Sequence, residues 1–176
     1  MSYTESPKPR KSLDPATYAF AQRVFAMARQ GDATGLEPLL DQGIPANIRN
    51  LHGDTLLMLA VVHGHARTAR LLLEHGGDPA LGNEDGDTPL ADAAYRGDVE
   101  MVQLLLEYDA DVNSARRDGR TPLMLAAMFD RLPVLELLLR HGADVHARDV
   151  RGYDAVDLAQ AMGAEMALSR LATSRV

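Results

Sequence analysis

Three short stretches of this chain carry the side-chain types that metal binding, calcium binding or adhesion would use. His63-Gly64-His65 sets two imidazoles around a glycine, Asn83-Glu84-Asp85-Gly86-Asp87 sets oxygen donors around another, and Arg96-Gly97-Asp98 spells an adhesion tripeptide. None brings the rest of its chemistry. The acidic stretch lacks the downstream bidentate glutamate that a calcium loop needs at its end. His75 and His141 stand at matching places in units two apart, which in a helical stack means roughly 20 Å and no shared ion. Asp85, Asp87 and Asp118 could form a carboxylate pair, but they fall in polar, glycine-containing segments where nothing raises a pKa or excludes water. With no cysteine, no Gly-x-Ser-x-Gly elbow and no phosphate-cradling loop, neither catalytic residues nor a metal or cofactor site is expected.

Gly64 and Gly97 in two of those stretches lie 33 residues apart, and this step runs through the chain. Gly53, Gly86, Gly119 and Gly152 keep it, as do Thr55, Thr88 and Thr121, and the triplets beginning at Leu71, Leu104 and Leu137. A fixed period between 20 and 50 residues marks a solenoid, in which each unit buries its apolar side only against its neighbours.

The unit reads as two helices. Thr88-Pro89 and Thr121-Pro122 put a capping hydroxyl before a proline at the first helical position, where its missing N–H is harmless. The helix that follows is alanine-rich (Ala93, Ala94; Ala126, Ala127), so a partner can approach closely, and Gly64 or Gly97 makes the turn. Val99, Val102, Leu105 and Leu106 recur at helical spacing in a second helix. It ends at His75-Gly76-Gly77-Asp78, Tyr108-Asp109-Ala110-Asp111 or His141-Gly142-Ala143-Asp144, which lead into an extended turn.

Asp118-Gly119-Arg120-Thr121-Pro122-Leu123-Met124-Leu125-Ala126-Ala127, followed by Leu137-Leu138-Leu139-Arg140-His141-Gly142-Ala143-Asp144-Val145, resembles an ankyrin repeat over roughly residues 17–171. The resemblance implies an all-α solenoid of stacked helix-turn-helix units joined by β-hairpin loops. Its divisions are a tail at 1–13, a degenerate capping repeat at 14–49, repeats at 50–82, 83–115 and 116–148, and a truncated capping repeat at 149–172. Two departures stand out. The family's histidine after Thr-Pro-Leu is replaced by Met58, Ala91 and Met124, so its hydrogen-bond network is not to be assumed, and Asp130 replaces the turn glycine.

Composition fits a small protein without nucleic-acid affinity. The net charge of −7 opposes phosphate binding, which needs a cationic face. Met1 to Ser12, with Pro7 and Pro9 among Lys8, Arg10 and Lys11, reads as disordered. Without an apolar leader, or the about 18 apolar residues of a span, neither secretion nor a membrane is expected. A cytoplasmic monomer is.

The resemblance implies protein recognition through a concave surface made by the hairpin tips and the exposed ends of the first helices. By register its residues are His52, Asp54, Val62 and His63; Asp85, Asp87, Tyr95 and Arg96; Arg117, Arg120, Met128 and Phe129; and Arg151 and Tyr153, flanked by Leu51, Glu84, Asp118, Val150 and Met162. Tyr95, Phe129 and Tyr153 would form an apolar ridge, beside tips that are acidic in the third unit and basic in the fourth. The partner is an unidentified protein. A structural spacer or assembly subunit is one alternative. Another is an asparagine hydroxylase substrate, since Asn113 resembles the modified asparagine of some ankyrin proteins; a turn preference is the plainer account of it. Asp92, in the slot of Leu59 and Leu125, is expected to point into the stack and to need a compensating partner.

Overall fold

A computed structural model describes residues 14–173. The segment expected to be a disordered tail, 1–13, lies outside the described residues.

Helices fall in pairs along the chain. They are α1 Pro15–Gln30 and α2 Ala33–Asp41; α3 Leu56–Val62 and α4 Ala66–Glu74; α5 Pro89–Arg96 and α6 Val99–Glu107; α7 Pro122–Met128 and α8 Leu132–Arg140; α9 Ala155–Met162 and α10 Glu165–Ala172. Each odd helix packs on the next odd one, from α1 to α9, and each even helix on the next even one, from α2 to α10. The result is two helical layers, inner and outer. Between them lies one continuous core, with Leu72, Leu105 and Leu138 fully buried in the outer layer and Ala60, Ala93, Ala94, Ala126, Ala127 and Ala159 in the inner one. Alanine is what lets inner helices stack so closely.

The helix starts follow from their caps. The hydroxyls of Thr55, Thr88 and Thr121 accept from the amides of Met58, Ala91 and Met124 at 3.1, 3.2 and 3.4 Å, each satisfying a donor that the first turn leaves open. Asp154 does the same for Val156 and Asp157 at 2.9 and 3.0 Å. Where the family's histidine is missing, the site is filled with apolar volume: Met58, Ala91 and Met124 are all buried. Met124 keeps a remnant of polarity, its sulfur taking the Thr121 amide at 3.4 Å.

The loops between units are hairpins of the smallest kind. In the second unit the Asn50 amide donates to Asp54 O at 3.0 Å, Gly53 N–H donates back to Asn50 O at 3.1 Å, and Gly53 is left-handed at φ 77°. This is the three-residue hairpin turn closed by a left-handed residue. The same pattern recurs at Asn83–Asp87, Arg116–Arg120 and Asp149–Tyr153. The expected β-hairpins thus appear as fingers without strands: among the described residues the one isolated bridge joins Arg49 and Thr55. Side chains replace the ladder. Asn50 Oδ1 accepts from the amides of His52 and Asp54, Asn83 Oδ1 from Asp85 and Asp87, and Asp149 Oδ1 from Arg151 and Tyr153, all between 2.8 and 3.1 Å.

Fingers also stack on fingers. Glu84 N–H donates to His52 O at 3.3 Å and Val150 N–H to Asp118 O at 3.0 Å, while a Cβ on Gly119 would stand 2.8 Å from Val150 N. Glycine is required there by contact as well as by φ.

Asp130 takes the left-handed place of a turn glycine at φ 53°. Its Oδ1 accepts from Ala167 N–H at 2.8 Å, in the first turn of α10, a helix whose own Ala164 offers no capping side chain. Residue 130 therefore caps a helix of the following unit. Among the described residues no helix is long and apolar enough to cross a membrane.

Candidate functional site

The ends of the inner helices share hollows with finger residues: Val62, Tyr95 and Arg96 with Asp54, Asn83 and Asp87, and Met128 and Met162 with Arg120, Arg151 and Tyr153. Tyr95 lies in the last turn of α5 and Phe129 follows α7; their rings meet edge to face, 4.6 Å between centroids and 82° between planes. Tyr95 is 44% exposed, and Phe129 is half-buried beneath it. Such a pair gains about 0.5–1.5 kcal/mol beyond the area it covers. A residue that sequence reasoning missed anchors it: Arg131 Nε donates to Tyr95 O at 3.2 Å, holding the end of α5 from the next unit. His65, at the same register, lies 3.0 Å through Nε2 from Arg29 O at the end of α1. The imidazole that suggested a metal ligand is thus a cap for the neighbouring helix end.

The two hollows lie along the inner layer. One, about 320 Å³, lies between α3 and α5 with Asp54, Leu59, Val62, Asn83, Asp87, Asp92, Tyr95 and Arg96 around it. The other, about 300 Å³, lies between α7 and α9 and is lined by Arg120, Met128, Arg151, Tyr153, Asp157, Leu158, Ala161 and Met162. Tyr153 and Met162 are 49% and 54% exposed, so this second hollow has an apolar rim. A wider depression of about 480 Å³ sits apart from both, between α8 and α10 in the outer layer.

His52, His63, Asp85, Arg117 and Arg151 are exposed, and Asp54, Val62, Asp87, Arg120 and Met128 are partly buried. The tips, expected to be acidic in the third unit and basic in the fourth, carry charges that are partly paired. Arg116 pairs with Asp87, the Arg117 guanidinium donates to Glu84 O, and Arg120 Nε lies 3.5 Å from Asp118 and 3.9 Å from the buried Asp149. Acidic third tip and basic fourth tip neutralise one another along the stack, so much of this charge holds fingers together. Burial, and then the positive charges of nearby His65, Arg29 and Arg96, lower the pKa of His63.

The expectation for Asp92 needs correction. It is half-buried and lines the first hollow, at the edge of the stack rather than within it. Its slot borders the groove, since Leu59 lines the same hollow. Burial is the main reason its pKa is raised to about 6, the charge of Asp87 adds to this, and Arg116 opposes it.

Asn113 is exposed, and its Oδ1 accepts from Asp144 N–H at 2.8 Å. Asn47 makes the equivalent bond to Asp78 at 2.9 Å. An asparagine at this register joins successive units, a structural role sufficient for its presence.

A family model described as ankyrin repeats, in three copies, matches residues 24–116 and 78–149. Over 68 residues the chain is 54% identical to a putative ankyrin repeat protein of Pseudomonas aeruginosa, a stretch covering 39% of this chain and 39% of that relative. The chain therefore spans well under half of the relative's length. Ankyrin repeats generally mediate protein–protein interaction. With most of its length under the family model and its helix pairs, finger loops and capping threonines in register, the chain belongs to the ankyrin repeat family.

Proposed function

We propose that this protein is a non-enzymatic recognition module that binds a protein partner on the free side of its inner helices and fingers, as a cytoplasmic monomer. The observation that carries the reading is the exposed Tyr95 ring, packed on the half-buried Phe129 and lining one of the two hollows. Binding energy at protein interfaces concentrates in a few large, desolvated side chains, aromatics and arginine above all. This chain has 5 tyrosines, 3 phenylalanines and no tryptophan, and Tyr95, Phe129 and Tyr153 are the three we assign to this face. Exposed apolar groups clustered in this way mark contact sites. Paired finger charges favour the aromatic and apolar rim over the tips as the source of affinity.

The test is affinity capture from the native source by the parent chain and by Tyr95→Ala and Phe129→Ala, scored on partners that the parent retains reproducibly. Each change should weaken capture by roughly 1 to 3 kcal/mol with helical circular dichroism unchanged. Glu74→Ala and Gln103→Ala, on the outer layer, should do little. The opposite pattern overturns this surface assignment.

A further inference from the structure

In the hollow between α3 and α5, the Asp92 carboxyl has no hydrogen-bond partner among the described residues, whereas its acidic neighbours are provided for. Asp54 accepts from Asn50 Nδ2 at 3.0 Å and Asn83 Nδ2 at 3.1 Å, and Asp87 pairs with Arg116. The rest of the lining is of another kind: Leu59 and Val62 are apolar, and the half-exposed Tyr95 ring stands beside them.

We propose that this hollow receives one arginine or lysine side chain of the bound protein, its alkyl stem against Leu59, Val62 and Tyr95 and its cationic head on the Asp92 carboxylate. This assignment rests on the recognition role proposed above. Size agrees: about 320 Å³ is at the bottom of the range for small-ligand pockets, about 300–1,000 Å³, which suits a single side chain. Charge agrees as well. Asp54, Asp87 and Asp92 line the hollow against the single guanidinium of Arg96, and Arg116 is taken up by Asp87, so the excess of carboxylates attracts a cation. The Arg96 guanidinium extends toward the Gly64 turn, 3.9 Å from where a Cβ on Gly64 would stand. An apolar occupant would strip water from Asp92 and return nothing to it; a basic one gives it a charge-assisted bond. Its position beside an aromatic face adds a cation–π contact.

The test uses the full chain, labelled in the leucine and valine methyls and aspartate carboxyls, with Nα-acetyl-arginine amide as probe. Nα-acetyl-citrulline amide serves as a control of the same length without charge. Expected are saturable shifts of the Leu59 and Val62 methyls and the Asp92 carboxyl carbon, with the citrulline probe at least tenfold weaker, about 1.4 kcal/mol. Asp92→Asn should lose the same factor while its other resonances stay in place. Equal binding of the two probes, or no saturable shift at these groups up to the solubility limit, overturns the assignment. The two proposals fail separately. If arginine does not bind but Tyr95→Ala still impairs partner capture, the hollow's occupant is wrong and recognition stands. If Tyr95→Ala captures normally, the recognition surface itself is wrong.

Discussion

Tyr95 and Phe129 belong to successive units but not to equivalent positions: Phe129 stands in the register slot of Arg96 and still meets the Tyr95 ring at 4.6 Å. The offset lets one ring lean on the other rather than run parallel beside it. A double-mutant cycle on thermal stability should therefore show coupling between Tyr95→Ala and Phe129→Ala of about 0.5–1.5 kcal/mol. Additive effects would mean that the two rings are independent surface groups.

Asp92 makes stability depend on pH in a defined window. Its folded pKa, raised to about 6 from 3.8, means that folding disfavours the ionised form. Below about pH 4 it is protonated in both states and there is no penalty; the penalty grows as pH rises through 6 and is complete above it. The shift corresponds to roughly 1 to 3 kcal/mol at neutral pH. Asp92→Asn should therefore melt above the parent at pH 7.5 and level with it at pH 3.5, each pair compared in one buffer. A variant that melts far lower at pH 7.5 would show the carboxylate holding part of the fold together.

The sequence carries the helix pairs because their signals are local and repeated. Thr88-Pro89, Gly97 and the leucine triplet act within one unit, and their recurrence after 33 residues confirms each reading. What escaped is contact between units made by single side chains. Arg131 reaches Tyr95 O and Asp130 reaches Ala167 N–H over 36 and 37 residues, and neither bond repeats in every unit, so no period announces it. Asp87 with Arg116 escaped for the same reason: the tips read as separate charges until stacking brings them together. Asp92 shows a limit of register itself. An equivalent slot predicts an equivalent backbone position, but at the border of the core it does not fix how deeply the side chain is buried.

Two left-handed glycines, Gly119 in a finger and Gly142 just past the end of α8, separate two costs of adding a methyl group. Gly119 and Gly142 have almost the same left-handed φ, 80° and 84°, so alanine strains both by about 1–2 kcal/mol. At Gly119 the new Cβ would also press on Val150 N at 2.8 Å, whereas at Gly142 nothing lies within 4 Å. Gly119→Ala should therefore lower the melting temperature clearly more than Gly142→Ala. Each further kcal/mol corresponds to about 2–4 °C for a chain of this size. Equal losses would mean that the fingers are not in contact at that point.

The charges around the first hollow can be dissected by moving one at a time. Burial is the largest cause of the raised Asp92 pKa, with Asp87 pushing further upward and Arg116 pulling downward. Asp54 and Arg96 act in the same two senses more weakly. Asp87→Asn removes the upward push and leaves Arg116 without its carboxylate, so the Asp92 carboxyl should titrate lower than in the parent. Arg116→Ala removes the counter-charge and leaves the Asp87 carboxyl in place, so Asp92 should titrate higher. The double variant should fall between the two and still above 3.8, because burial persists in all three. Carbon-detected titration of the labelled Asp92 carboxyl reads each value directly. A downward move in Arg116→Ala, or no difference between the two single variants, would place the ion pair too far from Asp92 to matter. An added cation that lowers the same pKa in the Arg116→Ala protein would act where the guanidinium had acted, by giving the ionised carboxylate a partner.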